Sequence, residues 1–130
     1  MKEIIFRGKN NNNDEWVYGF PMISRERPGR TAHFIIKDDG ECNEPHEWIL
    51  IKYETLGQYI GLNDKNGKKI FEGDIVKIGY NFIRNIVVKF ENGKINISNY
   101  NINKAEVIGN IYDNHELLEE KWCLTNQETQ

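Results

Sequence analysis

Cys42 and His46 stand four apart in CNEPH, a spacing at which a thiolate and an imidazole can share a metal ion. A closed zinc site needs four ligands, and beyond this pair the chain offers His115 and Cys123, distant and with no second local pair. The two cysteines are not in CxxC pairs, so a ribbon-type zinc site is excluded, a disulfide framework has no support and free thiols are expected. Nucleophilic catalysis needs a Ser or Cys beside a base, yet there is no GxSxG elbow and His33, His46 and His115 form no constellation. His33 lies in a strand pattern, where packing is expected. The carboxylate pairs Asp38-Asp39 and Glu119-Glu120 read as solvated charge, and no glycine loop suited to phosphate is present. No catalytic, cofactor-binding or metal-ligating residue is therefore assigned, and the chain is expected to be no enzyme and to need no cofactor.

The segment DKNG at 64–67 resembles part of a calcium loop, but with Gly67 at the sixth position the first and last ligands would be Leu62 and Gly73, neither of which has a ligating side chain. Nucleic acid is the other ligand class to weigh. Seventeen basic against twenty acidic residues give a net charge of −3, so no chain-wide attraction to a polyanion exists. Locally, Arg25, Arg27 and Arg30 cluster beside Pro28-Gly29, and Tyr80, Phe82 and Arg84 interleave aromatic and basic character. Arg25, Arg27, Arg30 and Arg84 are the candidate nucleic-acid contacts.

The elements that must position these residues read as strands. Short β-branched and aromatic runs recur between turn formers: 4–6, 16–18, 33–36, 48–51, 56–60, 75–76, 86–90, 95–97 and 107–112. This spacing argues for an all-β or nearly all-β fold. Within VVKFENGKINI, Asn92-Gly93 predicts a two-residue type I′ hairpin that pairs Glu91 with Lys94, Phe90 with Ile95, Lys89 with Asn96 and Val88 with Ile97. The same rule at Asn66-Gly67 pairs Lys65 with Lys68, Asp64 with Lys69 and Leu62 with Phe71. KKIFEGDIV then reads as one bent strand with Gly73 at its corner, and Asp74 is expected to brace that corner by accepting hydrogen bonds from backbone amides. KNNNND and SRERPGR read as polar loops. Asp113, with Glu116 three residues on, has the spacing of a capping box, so a short helix carrying Leu117 and Leu118 should follow before the polar tail TNQETQ.

A chain of 130 residues can bury about two thirds of its unfolded surface without disulfides or metals. Its longest apolar run, Trp48 to Ile51, is far too short to span a bilayer, and MKEIIFRGKN lacks the apolar core of a signal peptide. A soluble, cytoplasmic protein is expected. Trp16, Trp48 and Trp122 are expected in core or interface packing.

EIIFRGK at 3–9, WVYGF at 16–20, ETLGQYIGLNDKNGKKIFEGDIV at 54–76 and EVIGNIYDNHELLE at 106–119 together make the chain resemble the YopX family, small proteins found mostly in phages and prophages. His115 departs from the resemblance, since proline is expected there at the start of the last helix. The resemblance implies a mostly β protein with an N-terminal β subdomain at 1–60, a small SH3-like barrel built on two hairpins at 61–112, and a short helix with a polar tail at 113–130. It also implies homo-oligomers, and it supplies no catalytic residues. Two functions follow as expectations. The first is a non-enzymatic phage or prophage accessory protein serving as an interaction or assembly module, with Leu117, Leu118 and Trp122 as the candidate interface and a phage or host protein as a further partner. The alternative is a nucleic-acid-binding small β-barrel with a regulatory role, using the four arginines.

Overall fold

The computed structural model describes residues 4–37, 47–79 and 81–118. The strands, in chain order, are β1 (Phe6–Asn10), β2 (Trp16–Arg27), β3 (Arg30–Lys37), β4 (Trp48–Asn63), β5 (Lys69–Phe71), β6 (Asp74–Ile78), β7 (Arg84–Val87), β8 (Phe90–Glu91), β9 (Lys94–Ile95) and β10 (Glu106–Asn110), with a 3₁₀ turn at Ile102–Lys104 before β10. Among the described residues the fold is mostly β, as the spacing of the apolar runs implies. The chain divides between Tyr59 and Ile60 into two units.

In the first unit the strand pairings return to their starting point. β1 pairs with β2, β2 with β3, β3 with β4, and β4 again with β1, all antiparallel. β1 and β2 are joined by the asparagine run, which is an ordered turn: Asn10 Oδ1 accepts from the Asn12 amide at 2.8 Å and Asn13 Oδ1 from the Glu15 amide at 3.0 Å. Such asparagine side chains replace backbone partners two residues on, and they let Asp14 hold a positive φ of 60°. The runs at 48–51 and 56–60, expected as separate strands, form one sixteen-residue strand. It bends where its register against β1 slips, and there Thr55 Oγ1 accepts from the Lys9 amide at 2.8 Å in place of a ladder bond. Val17, Ile35 and Ile51 form the buried core, with Phe6, Ile49 and Leu56 packed against it. Gly8 lets β1 lie close against this core, since a Cβ there would lie 2.6 Å from Ile51 Cδ1 and that side chain would have to shift.

The segment expected as the SRERPGR loop is mostly strand. β2 runs to Arg27 and β3 begins at Arg30, so only Pro28-Gly29 turns, with Gly29 at φ +80°. Cross-strand pairing of Ser24 with Ala32 and Arg25 with Thr31 overrides the low strand preference of this sequence.

In the second unit, β10, β6 and β7 form a three-stranded antiparallel sheet, β5 bonds to the end of β4, and β8 and β9 form a hairpin. That hairpin has the predicted register, Phe90 opposite Ile95 and Glu91 opposite Lys94, and its turn residues Asn92 and Gly93 have φ of 53° and 80°, as type I′ demands. Ile60, Ile70, Val76, Ile78, Val88, Ile97 and Ala105 form the buried core. Val88 and Ile97 are both in it.

Two expectations need correction in this unit. The Asn66-Gly67 turn is not type I′: Gly67 has φ +82° but Asn66 keeps a negative φ, and Asp64 donates its amide to the Lys68 carbonyl at 2.8 Å. Asp64 therefore lies opposite Lys68 rather than the expected Lys69. The cause is the Asp64 carboxylate, whose Oδ1 accepts from the Asn66 and Lys68 amides at 2.8 and 2.9 Å and closes a three-residue loop with glycine in the left-handed position. KKIFEGDIV is likewise two strands rather than one bent strand, since β5 ends at Phe71 and β6 begins at Asp74. Gly73, at φ +90°, turns the chain between them, and Asp74 Oδ2 accepts from the Phe71 amide at 2.8 Å, the brace the sequence suggests.

Candidate interaction surfaces

The first unit carries several large apolar side chains on the outside. Across β2, β3 and β4 the register aligns Phe20 with Ile36 and Ile36 with Trp48, and, two residues along, Met22 with Phe34 and Phe34 with Leu50. Alternation puts these two rows on the face opposite Ile35. Phe20 and Leu50 are exposed, and Trp48 is 52% exposed and meets Phe34 edge-on at 6.0 Å between ring centres. Of the three tryptophans, then, Trp48 lies outside the core, while Trp16 is half-buried beneath two cations: Arg7 Cζ lies 4.3 Å and Lys9 Nζ 5.3 Å from its ring centre. Both cations are buried, and a tryptophan face is the best apolar surface on which to hold them. His33, expected to pack, stacks on Tyr53 at 5.1 Å.

The candidate arginines divide between the units. In the first, Arg25 and Arg30 are exposed near the tip of the β2–β3 hairpin, and Arg27 stands opposite Arg30 in its register. Arg84 opens β7 in the second unit and is exposed. Leu117 and Leu118 are half-buried in a helical turn at 116–118, and the Asn85 side-chain amide donates to the Leu117 carbonyl at 3.5 Å. Trp122, Cys42, His46, Cys123 and Tyr80 lie outside the described residues. Among the described residues no group of three or more His, Cys, Asp or Glu is placed to hold a metal ion. Nor is any helix among them long and apolar enough to cross a membrane.

The second unit carries a cleft of about 490 Å³ that no single run of sequence discloses. Lys65, Lys77 and Lys104 line it, with Glu106, Asn81 and Ile83. Its frame is the Asp64 turn. Besides its two local bonds, Asp64 accepts at Oδ2 from the Val107 amide at 2.9 Å, and the neighbouring Lys65 amide donates to the Ala105 carbonyl at 2.8 Å. The turn is thus tied to the start of β10. Burial alone would raise the Asp64 pKa, but the three amide bonds from Val107, Lys68 and Asn66, helped by the charge of Lys68, outweigh it and hold the carboxyl below its ordinary value. Lys77 on β6 stands opposite Glu106 on β10, and Glu106 in turn lies 3.4 Å from Lys65 Nζ.

A family model described as YopX protein matches residues 5–119. Among solved structures, protein EF1440 from Enterococcus faecalis is similar over 91% of this chain and 99% of that one, with a TM-score of 0.54 and 22% identity, a likeness of fold alone. Comparison with curated proteins finds no match. With the match running through both units and every strand described above, the chain belongs to the YopX family.

Proposed function

We propose that this protein is a phage- or prophage-encoded accessory protein that catalyses no reaction and works in the bacterial cytoplasm as an interaction or assembly module, forming homo-oligomers. The observation that carries this reading is the pair of apolar rows, Phe20-Ile36-Trp48 and Met22-Phe34-Leu50, on the outer face of the first unit. A contiguous apolar face with an exposed tryptophan loses free energy in water, and a second copy presenting the same face would cover it by a two-fold contact. The non-catalytic part of the reading rests on the sequence, which pairs no nucleophile with a base. We read the second unit as a small SH3-like barrel that supports this module, and the helical turn bearing Leu117 and Leu118, with Trp122 beyond it, as a second surface for the assembly or for a phage or host partner.

Sedimentation velocity across a wide concentration range tests the proposal. The expected result is a species at a multiple of 15.3 kDa that dissociates when Trp48 and Phe20 are replaced by glutamate. Loss of assembly in Leu118→Glu but not in these variants would move the interface to the helical turn. The alternative, regulatory binding of nucleic acid by the arginines, is favoured by the hairpin tip, where the exposed Arg25 and Arg30 can meet a phosphate backbone without any burial of charge.

A further inference from the structure

We infer that the cleft of the second unit binds single-stranded nucleic acid, at a site separate from the arginine hairpin and independent of the assembly reading. Lys65, Lys77 and Lys104 reach it from the Asp64 turn, from β6 and from the 3₁₀ turn, against one carboxylate, Glu106. The local charge is therefore positive on a chain whose net charge is −3. The positions are set by backbone: the Lys65 amide is bonded to Ala105, immediately after Lys104, and Lys77 lies in the central strand of the sheet.

Beside the lysines the loop between β6 and β7 presents Phe82, 81% exposed, and Ile83, 63% exposed. These exceed the exposure of Phe20, Leu50 and Trp48 on the first unit's apolar face, and Phe82 brings a flat ring with it. A Cβ at Gly79 would lie 1.9 Å from the Phe82 carbonyl oxygen, so glycine is required to carry the phenylalanine there. Cations spaced along a cleft, next to an exposed ring, match a ligand with phosphates along one edge and flat bases along the other. An acidic peptide would use the lysines and leave Phe82 idle. A duplex hides the faces of its bases, so it too would leave the ring unused.

Fluorescence anisotropy of the whole chain with a labelled oligothymidylate, titrated with salt, tests the inference. The expected result is binding at low salt whose logarithmic slope against salt falls by about 1.4 when Lys77→Gln and Lys104→Gln are combined, at about 0.7 for each phosphate no longer neutralised. Phe82→Ala should weaken binding about tenfold, the scale of one stacked base. These are surface positions, and an unchanged melting temperature would confirm that the variants are folded. The inference is overturned by any of three results: no binding at low salt, binding that Arg25→Glu with Arg30→Glu abolishes while the lysine variants do not change it, or equal competition by polyglutamate.

Discussion

The two units spend their apolar residues differently. Among the described residues, the second buries one cluster of seven, from Ile60 to Ala105, and fixes its turns with the buried carboxylates of Asp64 and Asp74. The cluster of the first, again among the described residues, is Val17, Ile35 and Ile51, and Phe20, Leu50 and Trp48 are left on its outer face. Because hydrophobic stabilisation follows the apolar area removed from water, the larger buried cluster gives the second unit more from its own interior than the first obtains from its smaller one.

Core truncation should break this comparison most strongly. Ile70 and Ile35 are both fully buried, yet Ile70→Ala, inside the larger core, should cost about 4 kcal/mol and Ile35→Ala, whose sparser surroundings can collapse, about 2 kcal/mol. Urea denaturation of the two variants reads the difference. Equal losses would mean that the two interiors are equally tight.

Next in size is Asp64→Asn, which keeps the shape of the side chain but weakens three amide bonds and should cost about 2 kcal/mol. The sign of its pH dependence follows from the lowered pKa. A carboxyl with a folded value below its unfolded value of about 3.9 contributes its full stability above that pH and loses it as the pH falls through the folded value. Melting curves from neutral pH downward should therefore show wild type and Asp64→Asn converging in acid. A constant gap would contradict the role given to the charged form.

A smaller effect is expected at Gly93, where a Cβ meets open space but φ is +80°. Gly93→Ala should cost about 1 kcal/mol in thermal unfolding, through backbone conformation alone. Smallest of all should be the effect of Trp48→Glu on the stability of the monomer, within about 0.5 kcal/mol when both proteins are measured at a concentration low enough for wild type to be dissociated, because the residue is on the surface of the single chain.

The Asn92-Gly93 hairpin is legible in the sequence because both turn residues can adopt positive φ and nothing nearby competes. Asn66-Gly67 misleads because Asp64, two residues earlier, captures the Asn66 amide. Its signal is nonetheless present: Asp at the first and Gly at the fourth position of DKNG suit a type I turn. Strand lengths are the least legible, since β2 extends through its polar residues where β3 supports them. The apolar rows of the first unit follow from a register that spans three strands, and periodicity within one strand does not disclose it. The lysine cleft is hidden for a similar reason. Lys65, Lys77 and Lys104 are far apart in the chain and are gathered by the β6–β10 pairing and the bond from Lys65 to Ala105.

The most direct measurement is the mass in solution of wild type and Trp48→Glu by light scattering at equal concentration. An oligomer is expected for wild type and a folded monomer of 15.3 kDa for the variant. A monomeric wild type, or a variant of unchanged mass, would contradict the assignment of the outer face of the first unit as the assembly surface.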